Sequence, residues 1–313
     1  MKRLIKSVLL ICGLDLHRAK RPHIQSVDWR NRPKEQKINI GAKVIHTDFA
    51  MMASVYRDYP ETNRAAARIL SVIERFYRDF QVVDVGANCG DTIACLFDGW
   101  SGKVLAIEPD PNCQKWLNKN WGDDPRVTIR SFWLSSVSSI ANANLSKAGS
   151  NTTLDVTAAG NTQIAFRTLD EVLSQEPDFT NVKFIKVDTE GFDGPILIGS
   201  RQTLLKQKPV VLFESNLDVP AMKDADPMSV FSFLMELGYD TFFLYDAYGR
   251  FVAAADSQRL DFLRDLLDYA DGRFGKVYYY DAIAVHSTDA NIRDYFLQTE
   301  RQYRKPSQVS ISS

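Results

Sequence analysis

The sequence predicts an α/β fold: an open, doubly wound, Rossmann-like sheet of about seven strands, with the last strand antiparallel. Three observations lead to it. Short apolar runs recur at Gln81–Val85, Lys103–Glu108, Val127–Arg130, Lys183–Asp188, Pro209–Glu214, Tyr239–Leu244 and Val277–Val285. Stretches of helical period separate the earlier runs, which is the rhythm of parallel strands covered on both faces. The last two runs follow one another closely and suit an antiparallel edge.

The elements follow in order. Residues 1–37 begin with MKRLIKSVLLICGLDLHRAKRP, basic and apolar like a secretion leader. The run Val8–Leu14 is short for one, lacks a small-x-small cleavage site, and is far below the roughly 20 residues a bilayer span needs. A helix grouping Leu4, Ile5, Val8, Leu9 and Cys12 between basic residues fits peripheral membrane contact through residues 1–20. Packing on its own domain is the alternative. Residues 38–80 predict one or two short strands around Gly41, then a helix opened by Pro60 and Glu61 that places Ala65, Ile69, Val72, Ile73 and Phe76 on one face. Residues 81–290 form the main domain, with helices from Asp91, Pro111, Thr168, Gly194 and Pro227. Ser135–Thr168, rich in Ser, Asn, Thr, Ala and Gly, reads as a loop or small hairpin over the sheet. Residues 291–313 read as a polar tail.

Composition narrows the function. Of 313 residues, 45% are apolar and 25% charged with a formal net charge of -1, so nothing favours a nucleic-acid partner. Cys12, Cys89, Cys95 and Cys113 form no CxxC pair and have no histidine at zinc spacing, as expected of reduced thiols in a cytoplasmic protein. No zinc or disulfide framework is expected.

The chemistry concentrates in VVDVGANCGDT, residues 82–92. Gly86 suits a sharp turn and close approach, and Gly90 suits a helix starting tight against the strand. A diphosphate-binding loop needs a middle glycine where this chain has Asn88. Glu108, followed by Pro109, ends the next strand about 20 residues on, where an acid accepts both hydroxyls of a ribose. A nucleoside without a diphosphate points to S-adenosylmethionine, and Asp84 is near enough to serve its cationic methionine end. A nicotinamide-dependent oxidoreductase is the competing enzyme class, weakened by the missing GxGxxG pattern.

Together VVDVGANCGDT, VLAIEPDP, TLDEVL, KFIKVDTEGFDGPILIGS and PVVLFESN resemble the FkbM family of S-adenosylmethionine-dependent methyltransferases, over roughly Gln81–Glu214. The resemblance implies a class I methyltransferase sheet and methyl transfer to a hydroxyl oxygen of a sugar, glycan or natural product. By position it makes Gly86, Asn88, Gly90 and Glu108 cofactor residues, and Asp188 and Glu190 the acids at the fourth-strand edge. Thr189, Phe192 and Asp193 depart from the usual spelling.

An aliphatic hydroxyl needs a base to take its proton. Asp188, Glu190 and Glu214 fall at the carboxyl ends of predicted strands, with helix capping or a salt bridge to Lys186 or Arg201 as the structural alternative. His46 and His286, each at a strand end, are further candidates. A divalent metal on Asp188, Glu214 and Asn216 remains an unfavoured alternative. Tyr245, Tyr248 and Tyr278–Tyr280 are either a sugar-stacking surface or core. A scaffold that binds the cofactor without catalysis is the reading from outside enzymology.

Overall fold

The structure is a computed structural model and describes residues 35–148, 151–189, 191–215, 226–271 and 279–303. The amino-terminal helix expected within residues 1–20 lies outside them. β1 (Gln36–Ile40) and β2 (Lys43–Thr47) pair antiparallel about Gly41, as the alternation predicts. Next come α1 (Ala50–Asp58), which the sequence reading does not contain, and α2 (Arg64–Phe76). Ala65, Ala66, Ile69, Leu70, Val72 and Ile73 make the buried stripe of α2 at helical spacing.

The sheet rhythm then begins: β3 (Gln81–Val85), α3 (Asp91–Leu96), β4 (Lys103–Ile107), α4 (Pro111–Trp121) and β5 (Val127–Arg130). Asp110 caps α4 by accepting from the Asn112 and Cys113 N–H groups, with Pro111 in the first turn, where its missing N–H costs nothing. After β5 the stretch expected as a loop or small hairpin is a larger unit, a second sheet of four strands. It is built from β6 (Trp133–Leu134), β7 (Ser139–Ala148), β8 (Asn151–Val156) and β9 (Thr162–Arg167), in the order β6-β9-β7-β8. Among its described residues Leu134, Ala143, Leu154, Ile164 and Phe166 are the buried apolar ones. So few large apolar positions leave little strand signal, which is why the sequence reads as loop.

The main sheet resumes after α5 (Leu169–Ser174) with β10 (Val182–Val187), α6 (Asp193–Ile198), α7 (Arg201–Gln207) and β11 (Val210–Ser215). One helix was expected where α6 and α7 stand. The chain breaks at Gly199, where a Cβ would lie 2.2 Å from the Ser135 carbonyl oxygen. α8 (Ser229–Glu236), β12 (Tyr239–Tyr245), β13 (Phe251–Asp256), α9 (Leu260–Asp271), β14 (Tyr280–His286) and α10 (Ala290–Tyr303) complete the described chain.

The main sheet has eight strands in the order β13-β12-β14-β11-β10-β3-β4-β5. Seven are those the sequence predicts, and β13 is an added antiparallel edge. β5, β4, β3, β10 and β11 run parallel, and β14 is antiparallel to both its neighbours. Alternate residues feed two cores. Val82, Val104, Ala106 and Phe184 meet α2, α3, α4 and α10, while Val83, Leu105, Ile185 and Phe213 meet the helices from α5 to α9. Among the described residues no helix is long and apolar enough to cross a membrane.

The stretch expected as a polar tail from residue 291 is largely α10, which buries Ile292, Phe296 and Glu300. Its polar composition conceals one anchor. Glu300, fully buried, accepts from Arg68 of α2 at 2.6 Å (Nε–Oε1) and 3.0 Å (Nη2–Oε2). Removing one member of such a pair strands a buried charge. Arg68→Ala should therefore lower unfolding stability by about 3–5 kcal/mol in urea denaturation.

Candidate active site

The carboxyl ends of β3, β4 and β10 lie side by side, and the loops leaving them frame an open cleft of about 1010 Å³. Gly86 leaves β3 with φ +79, and a Cβ there would sit 1.9 Å from the Asp188 carbonyl oxygen at the end of β10. The sequence assigned this glycine to ligand approach. The structure adds a second constraint on it, the neighbouring backbone at the end of β10. Gly90, at φ +82, would drive a Cβ to 2.2 Å from the Trp121 indole nitrogen, which donates to the Gly90 carbonyl at 2.9 Å. The space at Gly90 is thus taken by Trp121 and Leu117 of α4, where the sequence reading expects room for the following helix to start tight against the strand.

Glu108 is buried at 7% exposure just past β4. Its Oε2 accepts from the Asn88 N–H at 2.9 Å and its Oε1 from the Asp110 N–H at 2.8 Å, so one carboxylate ties the glycine loop to the cap of α4. Burial pushes its carboxyl up to about 7, against the pull of those two N–H donors. Asn88 adopts φ +51, and its Oδ1 is buried without a hydrogen-bond partner.

Asp84 points from the middle of the sheet into the core beneath this loop. Its register partner on β10 is Lys186, and Asp84 Oδ1 lies 3.7 Å from the Lys186 Nζ. Neither oxygen of Asp84 has a hydrogen-bond partner, and burial raises its carboxyl to about 6. Lys186 Nζ also donates to Asp188 Oδ2 at 3.0 Å. Burial alone would lower the ammonium's pKa, but Asp188 and Asp84 outweigh it, so Lys186 stays charged. Asp188 itself is 44% exposed and faces the cleft.

The opposite wall is apolar. Phe132, Trp133 and Leu134 come from the chain around β6, Leu154 from β8, and Phe192 and Ile196 from the start of α6. Phe192 stacks on Phe166 of β9 with centroids 6.1 Å apart, joining the second sheet to the main one. Met52 and Asn63 complete the lining from elements that precede β3.

With the geometry in place, the family follows. A family model of the methyltransferase FkbM domain matches residues 84–241, just over half of the chain. The chain belongs to the FkbM methyltransferase family. Membership implies S-adenosylmethionine as methyl donor. Solved structures similar to this FkbM chain include a methyltransferase FkbM from Methylobacillus flagellatus KT, at 19% identity and TM-score 0.38, covering 56% of this chain. This chain spans 43% of that one. A precorrin-6y C5,15-methyltransferase from Geobacter metallireducens GS-15 is 13% identical over 72% of this chain and 87% of its own, with TM-score 0.37. An O-methyltransferase from Bacillus cereus in complex with SAH is 12% identical over 74% of this chain and 90% of its own, with TM-score 0.35. No curated protein matches the FkbM chain.

Of the residues anticipated from sequence, Gly86, Asn88, Glu108, Pro109 and Asp188 line the cleft, with Asp84 and Gly90 directly behind it. Glu190 and Asn216 lie outside the described residues. Glu214 is at the same edge, but its side chain is not among the lining groups, and its N–H donates to Asp193 Oδ1 at 2.9 Å. His46 is a correction: it sits in β2 beside Glu35 and away from the cleft lining. His286 is another, because β14 runs antiparallel and carries it opposite Tyr239, at the start of β12 and so at the far edge of the sheet. Among the described residues no group of three or more His, Cys, Asp or Glu could hold a metal ion. Tyr245 and Tyr280 are core residues, Tyr248 stacks on Tyr59, and Tyr278 lies outside the described residues.

Sequence reasoning passed over Asp91, Phe132, Trp133 and the organising role of Asp193. Asp193 accepts from the Thr189 N–H and hydroxyl as well as from Glu214, holding the ends of β10 and β11 together. Burial pushes it up to about 7, and a similar effect brings Asp281, opposite Glu214 on β14, to about 8. Lys186 carried a usable signal, since a lysine inside the apolar run KFIKVD demands a buried partner.

Gly86→Ala combines a positive-φ penalty with a clash against fixed backbone. It should lower stability by about 2–5 kcal/mol in chemical denaturation. The raised carboxyls predict a pH effect of defined sign. Asp84, Glu108, Asp193 and Asp281 bind protons more tightly folded than unfolded, so stability falls as pH rises from about 4 towards about 8. His286, lowered by burial, opposes this in the acid part of the window. Thermal midpoints should be higher near pH 5 than near pH 8, and Glu108→Gln and Asp193→Asn should each flatten the slope.

Proposed function

We propose that this FkbM-family chain is an S-adenosylmethionine-dependent O-methyltransferase whose acceptor is a hydroxyl of a sugar, glycan or other natural product. The observation that carries this reading is Asp188, a solvent-reachable carboxylate fixed by Lys186 at 3.0 Å on one side of a cleft whose other side holds the buried acid Glu108.

The residues present fit the cofactor. Each oxygen of Glu108 accepts one backbone N–H and retains a lone pair for a ribose hydroxyl. Asn88 offers a buried amide oxygen without a partner, and the carboxylates around the cleft suit a ligand of positive charge. When bound, the cofactor supplies a methyl group activated by a sulfonium.

For its part, the chain orients the acceptor and manages its proton. With Asp188 Oδ2 engaged by Lys186, Oδ1 is the atom that takes the hydroxyl proton. Lys186 orients that carboxylate, and Asp84 shares the ammonium's charge from beneath. Trp133 and Phe192 provide faces on which a sugar or the apolar body of a natural product can stack, and they exclude water from the reacting side.

The test uses methyl-labelled S-adenosylmethionine with fractionated extract of the source cells as the acceptor pool, beside calorimetry with S-adenosylhomocysteine. Label should enter a hydroxyl-bearing small molecule or glycan. Asp188→Asn should reduce incorporation about 10²–10⁴-fold while leaving S-adenosylhomocysteine affinity in place. Failure of the folded protein to bind S-adenosylhomocysteine, or label arriving in polypeptide, would overturn the proposal.

A further inference from the structure

Two elements outside residues 84–241, the span of the FkbM model, reach into the cleft. They are α1 and the turn before α2, which bring Met52 and Asn63 to its lining. Both converge on one acid. Tyr56 of α1 donates its hydroxyl to Asp91 Oδ2 at 2.6 Å, and Asn63 Nδ2 donates to the same oxygen at 3.1 Å and to the Tyr56 hydroxyl oxygen at 2.8 Å. Asn63 holds a left-handed backbone, φ 60, to do this. Asp91 is the first residue of α3, directly after the glycine loop, and itself lines the cleft.

We propose that Asp91, clamped through Oδ2 by Tyr56 and Asn63, uses Oδ1 to receive a primary ammonium group at the aliphatic end of the ligand. This rests on the cofactor reading above and brings to that ligand's charged arm two clamping residues, Tyr56 and Asn63, that lie outside the family match.

Four observations support the assignment. The clamp saturates one oxygen only. Oδ1 meets the Cys89 thiol at 3.9 Å, a weak donor that leaves its lone pairs available. Asp91 opens α3 directly after the glycine loop, whereas Glu108 follows β4 and is held by the Asn88 and Asp110 N–H groups, so the two acids reach the cleft from different elements. Among the described lining residues Asp91, Glu108, Asp110 and Asp188 face a single lysine, and Asp84 lies fully buried behind them with neither oxygen hydrogen-bonded, an excess that a cation offsets. Burial also raises the Asp91 carboxyl above its ordinary value, a cost that a bound ammonium reverses.

The experiment compares two ligands that share the adenosine part. S-adenosylhomocysteine carries the amino-acid arm; 5′-methylthioadenosine lacks it. By isothermal titration, Asp91→Asn should weaken S-adenosylhomocysteine about 10- to 100-fold and leave 5′-methylthioadenosine within about twofold. Tyr56→Phe should act in the same direction by a smaller factor, and it keeps the test open should Asp91→Asn fold poorly. Equal weakening of both ligands would make Asp91 a structural anchor for α1 and overturn the inference. Unchanged affinity for both would overturn it as well. Wild-type protein that binds neither ligand would instead remove the cofactor reading on which the inference stands.

Discussion

Two neighbouring parallel strands, β3 and β10, end with no space for a side chain between them. The Gly86 backbone lies against the Asp188 carbonyl, and the Asp188 N–H donates to the Val85 carbonyl at 3.1 Å. This approach places the loop of β3, the acid at the end of β10 and the register pair of Asp84 with Lys186 within one small volume. If the strands were splayed to admit a side chain, Lys186 on β10 would lose its register partner Asp84 on β3 and the cleft would lose its floor. The central constraint is therefore steric and the charges are arranged around it.

Those charges are expensive to bury. Asp84, Glu108, Asp193 and Asp281 all have carboxyls raised by burial, and Lys186 is one cation among them. Such an arrangement lowers stability and is maintained because surrounding packing determines it. The two apolar cores on either face of the sheet and the buried Arg68–Glu300 pair hold the scaffold rigid enough to carry it. Glu108 does double duty, since its carboxylate holds the glycine loop through Asn88 while remaining in reach of the cleft.

The cleft is assembled from three parts of the chain. The main sheet supplies the acids, the second sheet supplies Trp133, Leu134 and Leu154, and the elements ahead of β3 supply Met52 and Asn63. The Phe166–Phe192 stack joins the second sheet to the start of α6, which also carries Asp193 and its junction of β10 and β11.

Local patterns along the chain determine much of this protein. The apolar runs name seven of the eight strands in the main sheet, Gly41 marks the separate hairpin of β1 and β2, and the spacing of Gly86, Asn88, Gly90 and Glu108 identifies the cleft, because each depends on residue type over a few neighbouring positions. Ser135–Thr168 escapes such reading because, among its described residues, the strands bury four apolar side chains, and α10 escapes it because a buried ion pair accompanies its few buried apolar residues. His286 shows the limit most clearly: its place at a strand end is legible, but which edge of the sheet that end faces depends on strand direction, set by pairing with β11 and β12. Likewise the acid Asp91 is visible in the sequence, whereas its partners Tyr56 and Asn63 are 35 and 28 residues away and meet it only through packing. Sequence alone determined the strand order's raw material and the cofactor loop; the tertiary structure decided which acids converge, since convergence is a property of long-range contacts that no local pattern encodes.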